Sequence, residues 1–230
     1  MMINFESFCA NCNLLKERVE RATIASGRNP QSVKILPVTK THPLDAAEFS
    51  AQFGFDAVGE NKVQEFNGKY DSTLTWDIIG QLQTNKVKYV VGKVRYISSL
   101  DRLSLAEEIN RIAEKRGVVQ KCLVEVNSGD EDCKGGLSVD DVEYFLKELE
   151  QFSSIKVCGL MAVAPQGIGE NELKKCFKKV NDLFLKLKAQ NPEIQVLSMG
   201  MSEDYLTAIE CGSNQVRLGR VLFGDRPQVL

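Results

Sequence analysis

The chain has 230 residues, and its 43% hydrophobic and 26% charged residues are typical of a folded globular protein and exclude a disordered or fibrous one. Lys and Arg total 29 against 31 Asp and Glu, so the net charge of −2 predicts neither a nucleic-acid partner nor binding to an anionic membrane. No apolar run reaches the ~18 residues of a membrane span. The first ten residues lack the basic region of a signal peptide, so we expect none.

The odd number of cysteines favours free thiols in a reduced compartment over a disulfide framework, so we expect a cytoplasmic protein. Cys9 and Cys12 have the spacing of a zinc-binding pair. Because the chain has no second pair of this kind and only one His, we expect no zinc site. The seven cysteines are Cys9, Cys12, Cys122, Cys133, Cys158, Cys176 and Cys211.

Eight short runs rich in Val, Ile, Leu and aromatic residues predict β-strands, because each is bounded by Gly, Asp, Asn or Pro. They are Val33 to Lys40, Phe55 to Glu60, Leu74 to Gly80, Val94 to Ser98, Val119 to Asn127, Ile155 to Val163, Ile194 to Gly200 and Asn214 to Gly219. Segments with helical periodicity alternate with these strands. They are Pro43 to Phe53, Asn61 to Tyr70, Gln83 to Val91, Arg102 to Gly117, Val139 to Phe152, Asn171 to Gln190 and Ser202 to Cys211.

This unbroken alternation predicts an α/β protein with parallel strands, and eight units fit a (β/α)₈ TIM barrel better than a doubly wound sheet. An extra amphipathic helix, Asn4 to Ser26, precedes the first strand. The eleven residues after Gly219 are too few for a full eighth helix, so we expect the N-terminal helix to close the ring of helices. Because no repeat or linker interrupts the chain, we expect residues 1–230 to form one domain.

Lys40 ends the first predicted strand, and polar residues at the carboxyl ends of barrel strands surround the mouth where ligands bind. The strand period of two places Leu36 and Val38 on the same face as Lys40. If this face points into the barrel, partial desolvation frees the lysine amine as a nucleophile for carbonyl ligands. A lysine that extends to solvent from a strand end fits the sequence equally well.

Two glycine-containing segments, 198–202 and 217–220, follow or end the seventh and eighth strands, where phosphate sites recur in barrels. Gly200 and Gly219 allow a close approach of the backbone, and Arg220 adds a positive charge. The positions of the two segments favour an anion site over ordinary turns.

Three further polar residues have competing interpretations. Asn61 follows the second strand and offers a donor and an acceptor at the same rim, although an N-cap of the next helix is the stronger interpretation. Arg217 within the eighth strand is either a buried cation that needs a partner or an outward-facing, ion-paired residue. His42 precedes Pro43 at a helix start, where we expect a capping or solvent-facing side chain rather than a catalyst.

Six motifs, in order along nearly the whole chain, resemble those of the pyridoxal phosphate homeostasis proteins. They are Val38-Thr-Lys-Thr41, Gly59-Glu-Asn61 with Val63-Gln-Glu65, Ile79-Gly-Gln-Leu-Gln-Thr-Asn-Lys86, Gly159-Leu-Met161, Leu197-Ser-Met-Gly-Met-Ser202, and Val216-Arg-Leu-Gly219 with Phe223-Gly224. Such proteins are similar to the barrel domain of bacterial alanine racemase, the N-terminal one, without its second, β-rich domain.

The resemblance implies that Lys40 holds pyridoxal 5′-phosphate (PLP) as a covalent internal aldimine. It implies that Asn61 lies near the cofactor ring and that Arg217 faces the pyridine nitrogen. The residues that it implies around the phosphate are Ser198, Gly219 and Arg220, with Gly200 in the same loop as Ser198. We also expect a cytoplasmic monomer whose partners are PLP and apo forms of PLP-dependent enzymes.

Three residues depart from the family pattern. Asp77 stands where members commonly have His, which removes any role of that His. Arg220 stands where many have Thr or Ser, so its contact with phosphate would be ionic or be replaced by the backbone. Pro37 lacks an amide hydrogen in a central strand, which predicts a local bulge.

These features predict a PLP-binding protein that buffers or delivers the cofactor, influencing amino-acid and keto-acid metabolism, without catalytic turnover. An arginine opposite the pyridine nitrogen weakens the electron sink, and no tyrosine in the rim motifs replaces the second base of alanine racemase. One alternative is an amino-acid racemase of low activity. Another is a barrel enzyme that acts on a sugar phosphate through Lys40 as a Schiff-base lysine.

Overall fold

Eight parallel strands alternate with helices in the computed structural model, which describes residues 4–129 and 135–224; Cys133 lies outside these ranges. The strands are β1 (Lys34–Pro37), β2 (Val58–Glu60), β3 (Trp76–Ile78), β4 (Tyr96–Leu100), β5 (Gln120–Val126), β6 (Ile155–Ala162), β7 (Val196–Met199) and β8 (Gln215–Leu218). The helices are α1 (Phe5–Ala25), α2 (Leu44–Phe53), α3 (Val63–Lys69), α4 (Leu103–Arg116), α5 (Val142–Leu149), α6 (Glu170–Gln190), α7 (Tyr205–Glu210) and α8 (Arg220–Phe223). All eight predicted strands are confirmed.

The strands form the predicted barrel. The sheet order is β1-β8-β7-β6-β5-β4-β3-β2, and a parallel bridge between Val38 and Gly59 joins its two ends. Across this β1–β2 seam, the Thr39 N–H donates to the carbonyl oxygen of Gly59 at 3.0 Å. The largest apolar cluster lies between the strands and the surrounding helices, and no described helix is long and apolar enough to cross a membrane.

The bulge predicted at Pro37 is wrong, because Pro37 stays in register with Leu218 of β8. Successive N–H groups along a strand point to opposite neighbours. Those of Lys34 and Val38 donate to the stretch that contains β8, and that of Thr39 donates to β2. Pro37, which has no N–H, therefore faces the β1–β2 seam. The hydrogen bonds between β1 and β8 lose no donor.

The helix predicted over Gln83 to Val91 is also wrong in type, since this segment forms a 3₁₀ helix over Thr84–Tyr89. The Lys86 N–H donates to the carbonyl oxygen of Gln83, three residues back, at 2.9 Å. Gly92, at φ 73°, follows closely and turns the chain into β4. A connection this short favours the tighter helix, which buries Val87 completely.

Helix α1 packs beside α8 and α7, as expected for a helix that closes the ring. Phe8 is fully buried and stacks on Phe223 with 5.3 Å between ring centroids. Leu15 and Val19 on the same face are buried in one cluster with Ile209 of α7. Because each such side chain contributes about 1.5–3 kcal/mol on burial, α1 holds the β8 side of the barrel in place.

Candidate functional site

A cavity of about 330 Å³ opens among the loops that follow the carboxyl ends of the strands. This volume is in the range of small-molecule sites, and the position is the one that barrels use for ligands. Lys40, Ser202, Arg217, Gly219 and Arg220 all line it. The fold therefore brings residues of the first, seventh and eighth βα units to one cavity.

Lys40 lies two residues beyond Val38, which lines the same cavity, while Leu36 is buried deeper along β1. Of the two alternatives left open from the sequence, this arrangement agrees with the one in which Lys40 shares the inward face of Leu36 and Val38. The next residue, Thr41, has φ 67°, in the left-handed region that threonine rarely adopts. The chain is therefore constrained where it presents the lysine to the cavity.

Side chains of α3 hold the backbone on both sides of Lys40. Lys69 Nζ donates to the carbonyl oxygen of Thr39 at 3.0 Å, and the Thr41 N–H donates to Glu65 Oε2 at 2.7 Å. Lys69 also donates to Glu60 Oε1 at 2.7 Å. This network was not predicted from the sequence, because its members lie up to 30 residues apart and meet only in the folded chain.

Arg217 is a buried cation, 4% exposed, which settles the alternatives left open for it. Its Nη1 donates to the carbonyl oxygen and the Oγ of Ser198 at 2.7 and 3.0 Å, and its Nη2 donates to the carbonyl oxygen of Ala162 at 2.9 Å. Burial lowers the pKa of Arg217 to about 10, although the charges of Asp204 and Glu125 oppose the shift. The guanidinium therefore remains protonated at neutral pH and fixed at the cavity wall.

Ser198 and Gly200 lie behind the cavity wall. Ser198 is 1% exposed and its Oγ accepts a hydrogen bond from Arg217. Gly200 has φ 95°, and a Cβ there would lie 2.9 Å from the Cα of Tyr205 at the start of α7. The structure thus uses Ser198 to hold Arg217 and Gly200 to let β7 approach a helix.

The loop between β7 and α7 reaches the cavity through Ser202 rather than Ser198. Helix α7 begins at Tyr205, later than predicted, because Asp204 Oδ1 accepts a hydrogen bond from the Met201 N–H at 2.5 Å. Ser202 lies within the turn that this hydrogen bond closes. Arg220, after β8, forms an exposed ion pair with Glu203 of the same turn at 2.9 Å.

Asn61 does not cap the following helix, so the interpretation favoured from sequence is wrong. Helix α3 begins at Val63 with Lys62 before it, and no side chain caps it. Instead, Asn61 packs on Gly80, two residues after β3, where a Cβ would lie 2.2 Å from the Asn61 carbonyl oxygen. Only a glycine at this position leaves room for the rim at Asn61.

Two acids within the strands add charges that were not assigned from sequence. Asp77 is buried and accepts two hydrogen bonds from Arg95, at 3.0 and 2.6 Å, so an ion pair occupies this position of β3. Glu125 is 9% exposed, and its Oε2 has no hydrogen-bond partner among the residues that the structure describes. Burial, assisted by Asp101, raises the pKa of Glu125 to about 7, while Arg217 lowers it.

His42 lines the cavity and lies 5.0 Å from the Phe223 ring, centroid to centroid. It is therefore not directed only to solvent. Within residues 4–129 and 135–224, no group of three or more His, Cys, Asp and Glu side chains could hold a metal ion.

A family model described as "Alanine racemase, N-terminal domain" matches residues 3–227. The chain belongs to this family. It is also 40% identical over 223 residues to the pyridoxal phosphate homeostasis protein of Aquifex aeolicus, a match that covers 95% of this chain and 98% of the relative. The family resemblance stated from the sequence motifs is therefore confirmed.

Two solved structures extend this comparison. PipY of Synechococcus elongatus, solved with PLP bound, is 32% identical, with a TM-score of 0.73 over 91% of this chain and 99% of that one. Alanine racemase of Streptomyces lavendulae is 15% identical, with a TM-score of 0.79 over 98% of this chain and 59% of that one. At this identity the second match supports the fold alone.

Proposed function

We propose that the protein binds PLP covalently through Lys40 and buffers or delivers it in intracellular PLP homeostasis, without catalytic turnover. The observation that carries this proposal is that Lys40, Arg217, Gly219 and Arg220 line one cavity of suitable size. The names of its relatives, and the structure of PipY with PLP, support the choice of ligand.

The donor set of the cavity fits the three parts of PLP. When bound, PLP supplies an aldehyde that condenses with a primary amine and a ring that withdraws electrons from it. Lys40 offers the amine. Ser202, Arg220 and the backbone at Gly219 offer donors for a phosphate, and Arg217 offers a fixed donor for the ring side of the ligand.

Arg217 also makes the site poorly suited to bond cleavage at an amino-acid α-carbon. Its protonated guanidinium only donates hydrogen bonds, so it does not keep a ring nitrogen protonated as a carboxylate does. The described cavity lining contains no tyrosine that could move a proton opposite Lys40. This arrangement favours storage and transfer of the cofactor over bond cleavage at an amino-acid α-carbon.

The proposal includes a cytoplasmic monomer that passes PLP to apo forms of PLP-dependent enzymes. The balanced charge of the chain and its cysteine usage support this setting.

Lys40→Ala tests the proposal directly. We expect the full chain to gain a near-visible absorption band with PLP, and borohydride reduction to fix one PLP on Lys40, as mapped by mass spectrometry. Lys40→Ala removes the amine, so both signals are lost. Lys86→Ala is the matched control, because Lys86 lies in another of the six motifs and outside the described cavity lining, and it should retain both signals. Reduction that labels Lys86 instead contradicts the proposal.

A further inference from the structure

The segment that carries Lys40 lies beyond Pro37, the last residue of β1, and side chains of α3 hold it from both sides. Lys69 Nζ bonds the carbonyl oxygen of Thr39, and Glu65 Oε2 accepts the N–H of Thr41. Both backbone groups belong to the immediate neighbours of Lys40. Lys69 and Glu65 thus constrain the backbone around Lys40, as the hydrogen bonds between neighbouring strands do elsewhere in the barrel.

Lys69, which holds the Thr39 carbonyl oxygen, is itself largely buried. The Lys69 side chain is 12% exposed and bonds Glu60, whose side chain is 0% exposed. Thr39 Oγ1 donates to the same Glu60 oxygen at 2.6 Å. Glu65 lies 3.9 Å from Lys69, so one cation holds two carboxylates together. Charge-assisted hydrogen bonds away from water are strong, and they rigidify what they hold.

The backbone of Thr41 shows the effect of this constraint. At φ 67° it adopts a conformation that a β-branched residue keeps only when its surroundings impose it. The hydrogen bond from its N–H to Glu65 is one of those constraints. The turn therefore directs the long, flexible stem of Lys40 from a fixed base.

We propose that Glu65 and Lys69 are positioning residues that orient Lys40 for covalent attachment of PLP. The inference rests on the proposed function of Lys40. In the attachment, Lys40 Nζ forms a C=N bond to the aldehyde carbon, and the aldehyde oxygen leaves as water with the two amine protons. A fixed backbone lowers the entropy lost when the amine reaches the aldehyde. Neither Glu65 nor Lys69 belongs to the described cavity lining, so binding without attachment does not need them.

The test separates attachment from binding in the full chain. The attachment rate is followed by the absorption band with PLP, and binding is measured with pyridoxine 5′-phosphate, which has no aldehyde. We expect Glu65→Ala and Lys69→Met to slow attachment about tenfold, the value for one charge-assisted hydrogen bond. The affinity for pyridoxine 5′-phosphate should be unchanged. Glu65→Gln keeps an acceptor oxygen for Thr41 and should restore the rate.

Asp56→Ala is the matched control, because Asp56 forms an exposed ion pair with Lys34 at the other end of β1 and β2. It should change neither measurement. If Lys69→Met does not fold because Glu60 is left buried and unpaired, the double variant Glu60→Gln/Lys69→Met removes both charges and should show the slow attachment. An unchanged attachment rate in Glu65→Ala overturns the inference. So does a loss of affinity for pyridoxine 5′-phosphate as large as the loss of attachment rate with PLP. No attachment by the unmodified chain overturns the proposed function instead.

Discussion

Charged side chains inside the barrel are held by specific partners, and Glu125 is only partly compensated. Arg217 has three hydrogen bonds to acceptors on β6 and β7, and Asp77 has two from Arg95. Glu125 lies on the same face of the sheet as Ser198, which holds Arg217. Met161 of β6 is in register with Glu125 on one side and with Ser198 on the other. The orphaned oxygen of Glu125 makes the charged form costly, because a buried carboxylate needs partners to replace water.

Glu125 should therefore make stability depend on pH. Its pKa is about 7 in the folded chain, above the ordinary value, so between about pH 4.5 and 7 the folded state binds more protons than the unfolded state. The free energy of unfolding falls as pH rises through this window. Glu125→Gln removes the charge, and we expect it to stabilise the protein by roughly 1–3 kcal/mol at pH 8 and little at pH 4.5, measured by urea unfolding.

Glu108→Gln is the control, because Glu108 is paired with Arg111 on the surface of α4 and its pKa is lowered, not raised. It should not stabilise the protein at pH 8. An equal effect of Glu125→Gln at both pH values would contradict the role of its charge.

Most elements were predictable because their apolar periodicity is determined by neighbours along the chain. All eight strands and the N-terminal helix follow from it. The 3₁₀ helix was not predictable, since a short run such as Val87 to Val91, apolar except for Lys88, has the same pattern in either helix type. Helix α3 was predicted as an element, but the role of Lys69 depends on Thr39, which is far away in sequence.

The candidate site was predictable to a similar extent. The positions of Lys40, Gly219 and Arg220 followed from the ends of strands. The position of Ser198 behind the wall did not, because the choice between Ser198 and Ser202 depends on the turn that the hydrogen bond from Met201 to Asp204 closes. The binding roles of all these residues, and the extent of one domain over 1–230, stay predictions.

The whole molecule has an alanine-racemase-like barrel fold, and the proposed function assigns to its site retention of PLP rather than turnover. We expect it not to racemise alanine at the rates of about 1–10³ per second that are typical of enzymes. The physical reasons are the protonated Arg217 and the lack of a tyrosine in the described cavity lining. The measurement is α-proton exchange of alanine in deuterated water with the PLP-loaded chain.

Arg217→Glu examines the electronic reason. If it still binds PLP, a carboxylate at this position should raise any residual exchange, whereas Lys40→Ala should not. Rapid exchange by the unmodified chain would instead support the racemase alternative.

The β1–β2 seam sets where hydrogen–deuterium exchange should begin in this barrel. The amide of Thr39 bonds across a single bridge, while β5 pairs with β6 along its whole length from Gln120 to Val126. Exchange of a buried amide requires local opening, which costs least where few bonds break. Opening at Thr39 breaks its N–H bond and its bonds with the side chains of Lys69 and Glu60, which are fewer than the bonds that join β5 to β6. We expect Thr39 to exchange before Val124, and PLP to slow Thr39 selectively because Lys40 follows it directly. Earlier exchange of Val124 would contradict this order. If PLP slows the exchange of Thr39 selectively, the bound cofactor stabilises the closure of the barrel at the β1–β2 seam.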